Sequence, residues 1–346
     1  MYPERKVFFN TDENGITLLS VGLYSLLKTA DPTKRLWIFV AHNQEFADLG
    51  YVGRLRAIVA KFDFAEIAFG NLTPVLEQYP DTFNVVKFKA MMWGFPLCER
   101  ILPPDVTGNI VYLDMDIVVR KDLEELYSLD LRGRGVLAAS VDESERNELP
   151  HLLAAKDWPE AAGRGFNNAI QVVDLDAFRA GHYTDRIIAW REKHRKEFFT
   201  DQDAQNVVYG ERTLRLPVKW NYTDGWLERI PKFNPFAKQW RVFPPRDILE
   251  AILDPCIIHY IGRRKPTSWT HRPERKVYRR YMNELGLLEN DVLPGETPVR
   301  RVLALLFDGY HALLRAYVRF LLFWYNRADE RDSGIGQGHC HPGSRG

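Results

Sequence analysis

The chain has 346 residues, 45% hydrophobic and 27% charged, with 47 lysines and arginines against 46 aspartates and glutamates. This is the composition of a soluble globular protein with an ample core, and a formal net charge of +1 offers no global attraction to nucleic acid. Cys98, Cys256 and Cys340 are too dispersed for a disulfide framework and point to a reducing compartment, while Met1 to Lys6 run directly into Val7 to Phe9 without the apolar region of a signal peptide.

Short β-branched and aromatic runs then alternate with helical patterns. Val7 to Phe9 and Leu36 to Val40 read as strands around a periodic apolar helix, Ile16 to Leu27, which is a β-α-β opening. The alternation predicts an α/β fold, a mostly parallel central sheet flanked by helices, with ligands gathering at the carboxyl ends of the strands. Asn10, Thr11, Asp12, Glu13 and Asn14 sit at such an end. Leu55 to Phe62 reads as a helix, and Lys89 to Leu102 as another that Pro103 and Pro104 stop.

Asn109 to Val119 reads as one apolar strand carrying Asp114 and Asp116. Period-two geometry sends both carboxylates to one face, where they can share a divalent cation. Two solvated aspartates in a turn are the alternative. Val136 to Ser140 and Ala169 to Val173 supply further strands, Thr184 to Lys196 and Gln202 to Tyr209 further helices, and Arg212 to Tyr222 is extended or looped. Cys256 to Tyr260 is a short apolar strand whose His259 is placed to join the two aspartates, with a satisfied core histidine as the alternative, and two carboxylates with one imidazole suit Mn²⁺ somewhat better than Mg²⁺. Gly262, Arg263, Arg264 and Lys265 follow it in a flexible cationic loop able to hold phosphate oxygens.

These motifs resemble glycosyltransferase family 8, which includes glycogenin, galactinol synthases and bacterial lipopolysaccharide galactosyl- and glucosyltransferases. The similarity runs in order through Phe9-Asn10-Thr11-Asp12-Glu13-Asn14, Phe88-Lys89-Ala90-Met91-Met92-Trp93 and Asp114-Met115-Asp116. It continues through Phe166-Asn167-Asn168-Ala169, Asp201-Gln202-Asp203-Ala204-Gln205-Asn206 and His259-Tyr260-Ile261-Gly262-Arg263-Arg264-Lys265-Pro266. Gly15 stands where many bacterial members carry an aromatic residue, and Asn168-Ala169 where Ser-Gly is usual.

The resemblance implies a GT-A, Rossmann-like catalytic domain over residues 1–272 that uses a UDP-sugar donor and Mn²⁺ (Mg²⁺ as substitute) to transfer a hexose with retention to a saccharide or glycolipid acceptor. Asp114, Asp116 and His259 become the metal ligands. Asn10, Thr11, Asp12 and Asn14 form the nucleotide loop, with Asp12 and Asn14 on uracil and ribose, and Met115 lies between the metal ligands. Lys89 reaches the donor sugar or diphosphate, Gly262 and Lys265 hold the diphosphate, Asn167 and Asn168 meet sugar hydroxyls, and Asp201 and Gln202 border the anomeric carbon as catalytic candidates. The same residues also have plain structural readings: Asp12 and Asn14 as turn formers, Lys89 as an exposed cation, Asp201 as a helix cap, and Asn167 and Asn168 as partners of buried backbone.

Residues 273–330 read as a helical appendage. Within it Val302 to Tyr325 is apolar and aromatic but too charged for a membrane span. Leu303, Leu306, Phe307, Leu314, Val318, Leu321 and Leu322 can share one face, with Arg301, Arg315 and Arg319 near its edge, so a helix lying on an anionic membrane is the expectation and packing on its own domain the alternative. Residues 331–346 read as a disordered tail. The expected setting is cytoplasmic, peripheral on the inner membrane face, in surface-glycan synthesis such as lipopolysaccharide. Two rivals are a catalytically inactive sugar-nucleotide-binding scaffold and a haloacid-dehalogenase-type phosphatase. Residues 141–165, including Trp158, Gly163 and Gly165, are the expected acceptor-side loop, and Trp220, Tyr222 and Trp226 offer flat surfaces for a sugar.

Overall fold

Strand β1 (Arg5–Thr11) is buried along its whole length, as is β2 (Leu36–His42) beside it. Burial on both faces explains their near-continuous apolar sequence. The computed structural model describes residues 2–83, 90–131, 137–141, 165–197, 199–209, 212–229, 244–262, 265–268, 270–288 and 295–334. Within these, β3 (Ala65–Asn71), β4 (Asn109–Leu113), β6 (Leu137–Val141), β7 (Phe166–Asp174) and β8 (Thr213–Arg215) join the first two in a seven-stranded sheet of order β3-β2-β1-β4-β7-β6-β8. Its pairings are parallel except the two made by β7, so the sheet is mixed but mostly parallel.

Successive side chains divide between two cores. Phe8, Phe39 and Tyr112 face one, and Val7, Phe9, Val40, Val111 and Leu113 face the other. Helix α1 (Ile16–Thr29) covers the second face through Ile16, Leu19, Leu23 and Leu26. Helix α2 (Tyr51–Val59) adds Leu55 and Ile58.

The expected single strand over 109–119 is two. After β4 the chain bends at Asp114-Met115-Asp116, and β5 (Ile117–Val119) enters a separate three-stranded sheet with β9 (Tyr222–Thr223) and β10 (Ile257–His259), in the order β5-β10-β9. Helix α1 fixes the bend from beneath. Gly22 lies so close that a Cβ there would stand 3.3 Å from the Met115 carbonyl oxygen and 3.4 Å from that of Ile117, and Ser25 Oγ accepts the Val119 N–H at 2.9 Å. The helix expected from Lys89 to Leu102 is broken as well: from Ala90 onward it consists of 3₁₀ turns at Ala90–Trp93 and Cys98–Arg100, with Pro96, which has no N–H to give, between them.

Helix α3 (Tyr183–Lys193) packs beside α4 (Asp201–Tyr209). Helices α5 (Pro245–Leu253) and α6 (Arg275–Glu284) then lead to α7 (Pro298–Gly334), whose 37 residues carry it past the expected 331 boundary. Helix α7 packs on the body through Leu314 and Val318, against Ile248, Leu249 and Ile252 of α5. The face expected from the sequence is thereby split, since Leu314, Val318, Leu321 and Leu322 pack inward while Leu303 and Leu306 are exposed. Among the described residues no helix is long and apolar enough to cross a membrane. Trp220, Tyr222 and Trp226 are core residues, exposed by 2%, 0% and 3%, and offer no face to a sugar. Of the expected acceptor-side loop, 142–164 lie outside the described residues, as do 335–346 of the tail.

Candidate functional site

The bend between the two sheets brings Asp114 and Asp116 together at the carboxyl end of β4. Its backbone is tied on both sides: the Asp114 N–H donates to Ala169 O at 2.8 Å, and the Tyr260 N–H donates to Asp116 O at 2.9 Å. The second bond sets His259, the last residue of β10, beside Asp116, with Nε2 3.4 Å from Asp116 Oδ1. One ligand atom from each of Asp114, Asp116 and His259 lies within 4.8 Å of the other two. Two carboxylates from one bend and an imidazole from a strand far along the chain therefore converge, although a bend rather than strand pleating aligns the carboxylates.

The imidazole is oriented by a residue that sequence reasoning missed. His259 Nδ1 lies 3.0 Å from Asn221 Oδ1, and donation of Nδ1–H to that oxygen turns Nε2 toward Asp116 as the nitrogen left to ligate a metal. Asn221 is a single polar residue in a short 3₁₀ turn, Val218–Asn221, and no periodicity marks it. Its Nδ2 donates to Asn167 Oδ1 at 2.8 Å, so it joins the acidic centre to β7.

Charge at the centre is uneven. Burial raises the Asp114 pKa and the neighbouring Asp116 charge adds to the rise. Burial also acts upward on Asp116, but His259 and Lys265 outweigh it and hold Asp116 low. For His259, burial acts downward and the Asp116 carboxylate more than compensates, so its pKa is raised. Lys265 contacts Asp116 Oδ2 and donates to Tyr260 O at 3.0 Å. Its loop turns at Gly262, whose φ of +90° is accessible to glycine and strained for other residues. The donor set fits a divalent cation: Asp116 Oδ1 is buried, accepts no hydrogen bond among the described residues, and lies on the Nε2 side of the His259 ring.

A second cluster stands beside the first. Asn168 Nδ2 donates to Asp201 Oδ2 at 2.6 Å, and Gln202 Oε1 accepts from Asn167 Nδ2 and the Asn168 N–H, each at 3.3 Å. Asp201 is not the helix cap. Thr200 and Asp203 form a reciprocal cap, Asp203 Oδ2 accepting the Thr200 N–H at 2.7 Å, and this leaves Asp201 turned inward. There burial, and then the charge of Asp114, push its pKa up to about 8. Gln205, also unforeseen, donates to the same Asp201 oxygen at 3.3 Å.

The loop after β1 is shaped chiefly by its own residues. Asp12 Oδ1 accepts the N–H groups of Asn14 and Gly15, so the turn-forming reading of Asp12 holds. Asn14 Nδ2 donates to Glu13 at 2.6 Å. Asn10 lies beneath the loop, its amide donating to Met91 O at 2.8 Å and its carbonyl accepting the Tyr112 hydroxyl at 2.5 Å. Thr11 Oγ1 lies 3.6 Å from Met115 Sδ, and a Cβ at Gly15 would collide with both, so a larger residue there would displace the side chain between the two aspartates. Lys89, Arg263 and Arg264 lie outside the described residues.

Residues 100–271, which hold Asp114, Asp116, Asn167, Asn168, Asp201, Gln202, His259 and Lys265, match the model of the family described as Glycosyl transferase family 8. The chain belongs to glycosyltransferase family 8. Among its relatives, General stress protein A of Bacillus subtilis (strain 168) is 26% identical over 282 residues, covering 79% of this chain and 91% of that protein. Lipopolysaccharide 1,2-glucosyltransferase of Escherichia coli (strain K12) is 29% identical over 196 residues, 54% of each chain. The fold is that of GT-A glycosyltransferases. The apo WbbM bifunctional glycosyltransferase superposes with a TM-score of 0.66 at 21% identity, over 83% of this chain and 52% of that one. The galactosyltransferase LgtC, in complex with donor and acceptor sugar analogs, superposes with a TM-score of 0.60 at 20% identity, over 85% and 97%. In this family 8 chain the acidic centre and the Asn-Gln-Asp cluster share one end of the sheet, bridged by Asn221.

Proposed function

We propose that this family 8 chain is a retaining hexosyltransferase that moves a hexose from a UDP-sugar to a saccharide or glycolipid acceptor, in lipopolysaccharide or other surface-glycan synthesis. The observation that carries the reading is the convergence of Asp114, Asp116 and His259, with a buried Asp116 oxygen that accepts no hydrogen bond among the described residues. Those three residues would hold Mn²⁺, or Mg²⁺ in its place, which when bound supplies Lewis-acid neutralisation of a diphosphate leaving group.

The protein's own groups would do the rest. Lys265, on the turn that Gly262 permits, places an ammonium beside Asp116 and would hold the diphosphate as it departs, a fixed charge aimed where negative charge develops. The loop after β1 would take the uridine, with Asp12 and Asn14 as its polar contacts and Asn10 and Thr11 setting its shape. Asn167 and Asn168 would orient the sugar through hydroxyl hydrogen bonds, and Lys89 would reach the donor. Asp201 and Gln202 border the opposite side. Asp201 Oδ2 takes two side-chain amide donors, from Asn168 and Gln205, which would steady it as a carboxylate, and in that ionised form it would briefly stabilise a positively charged sugar carbon or support the donor.

The acceptor side is argued from α7. Its outward face exposes Leu305, Leu306, Leu313, Phe320, Phe323 and Trp324 at 57 to 72%, an uninterrupted apolar stripe suited to the interfacial layer of a bilayer on which a glycolipid acceptor would reside. The donor assignment is tested by calorimetry of UDP-hexoses with Mn²⁺, followed by UDP release in the presence of saccharide acceptors. Saturable binding of one UDP-hexose with turnover supports it. Binding without turnover under any acceptor supports the inactive scaffold.

A further inference from the structure

Beside the apolar stripe of α7 is a cavity of about 250 Å³ between α6 and α7, lined by Lys276, Asp308, His311, Arg315 and Arg319, with Ala312 leaving room at its wall. Three cations face it against one carboxylate. That carboxylate is already shared, since Asp308 pairs with Arg275 and with Lys276, the latter at 2.7 Å. Arg315 is paired with Glu274, and Arg319 has no acidic partner among the described residues.

His311 also lines the cavity and is only 2% exposed. Its Nε2 lies 3.2 Å from Glu228, and its buried Nδ1 has no hydrogen-bond partner among the described residues. A buried polar nitrogen without a partner at a cationic hollow is costly unless a ligand completes it. A second hollow of about 280 Å³ toward the start of α7 is of mixed charge, since Glu296 lines it together with Arg279 and Arg301 and pairs with both, and Asp308 pairs with Lys276.

The position of the cavity selects the ligand. Arg315 and Arg319 are one turn apart on α7, and a further turn along the same row is Phe323 at the edge of the apolar stripe, so Arg319 borders the stripe and Arg315 lies behind it toward the packed face. With that stripe in the acyl boundary of a bilayer, the cavity would open at headgroup level, where phosphate is the abundant anion. A free anion gains nothing from an adjoining apolar stripe, whereas a phospholipid uses both.

We propose that this cavity binds the phosphate of an anionic membrane lipid, held by Lys276, Arg315 and Arg319 with His311 at its base, and that it anchors α7 in a fixed orientation. The proposal rests on the reading that α7 meets a membrane. The test is co-sedimentation of the full chain with vesicles of phosphatidylcholine alone, phosphatidylcholine with phosphatidylglycerol, and phosphatidylcholine with oleic acid matched in surface charge.

The wild type is expected to bind phosphatidylglycerol vesicles more tightly than the oleate vesicles. Arg319→Gln should weaken phosphatidylglycerol binding roughly fivefold or more, the contribution of one cation at an anionic surface. Ala312→Gln, which fills the cavity without changing charge, should abolish the preference over oleate. Release of UDP to a water-soluble acceptor should be unchanged in both variants. Equal wild-type binding to the two anionic vesicles, or an unaltered preference in Ala312→Gln, overturns the phosphate site in favour of diffuse attraction. Calorimetric binding of inorganic phosphate at the cavity with no vesicle preference overturns the lipid assignment. Failure to bind any vesicle sinks the membrane reading itself, an outcome that Leu313→Glu should reproduce if the stripe inserts.

Discussion

Asn221→Ala probes the least expected part of the site. In the native protein Asn221 accepts from His259 at 3.0 Å and donates to Asn167 at 2.8 Å, and both Asn221 and His259 are nearly fully buried. Truncation leaves the His259 Nδ1–H without an acceptor in a dry environment, which costs about 1–3 kcal/mol of stability. Asn167 Oδ1 fares better because it still accepts the Ala169 N–H at 3.1 Å. The larger effect is on ligand geometry: without its acceptor the imidazole loses both fixed orientation and fixed tautomer, and such losses typically lower metal affinity by about 10- to 100-fold. Calorimetry with Mn²⁺ alone reads that change directly, and a thermal melt in chelator reads the stability loss separately. Asn221→Asp divides the two functions. It still accepts from His259 and should hold Mn²⁺ within a few-fold of wild type, but it sets a carboxylate against Asn167 Oδ1 and should lose turnover. A folded Asn221→Ala protein that binds Mn²⁺ as tightly as wild type would refute the orienting role.

Three further outcomes follow from the geometry. Gly22→Val should push on the carbonyl oxygens of Met115 and Ile117, shifting the bend between the two aspartates, with a cost of about 1–3 kcal/mol from overpacking and a measurable loss of Mn²⁺ affinity; unchanged affinity in a stable variant would contradict the close-approach argument. Asp201, whose folded pKa is raised to about 8 from an ordinary 3.8, keeps its proton through a pH range in which the unfolded chain has released it. In chelator, stability should therefore fall as pH rises from about 4 to 8, and Asp201→Asn, which removes this ionisation, should gain in melting temperature over wild type across that window; a constant difference would count against it. Lys265→Met removes the partner of a buried Asp116 carboxylate, so the metal-free protein should be destabilised, and added Mn²⁺ should restore more stability to it than to wild type. Equal stabilisation of the two proteins by Mn²⁺ would show that Lys265 and the cation do not share Asp116.

Much of the architecture was legible because of where the strands sit. Runs such as Val7 to Phe9 and Leu36 to Val40 are buried on both faces and read as strands without any alternation. That same property hid the bend at Asp114-Met115-Asp116. When both faces are apolar, a pattern carries no phase, so a break between two sheets looks like one continuous strand. The three acidic and imidazole positions were legible from residue type and strand ends. Asn221 was not, because its importance lies in two hydrogen bonds to residues 38 and 54 positions away. Trp220, Tyr222 and Trp226 were misjudged for the opposite reason: local sequence does not say whether an aromatic side chain lines a cleft or fills a core. Helix α7 shows the same limit, since its apolar residues occupy two faces and only the packing of Leu314 and Val318 on α5 decides which one is left outside.

On the proposed function, cleavage of a UDP-sugar needs a cation gripped by Asp114, Asp116 and His259. This requirement is tested most directly by UDP release from the UDP-hexose that binds, measured with Mn²⁺, after chelation, and in Asp116→Ala and His259→Ala. Release should depend on the cation and fall by about 10²-fold or more in either variant, with chelated wild type behaving like the variants. Turnover that survives both chelation and Asp116→Ala would contradict the account.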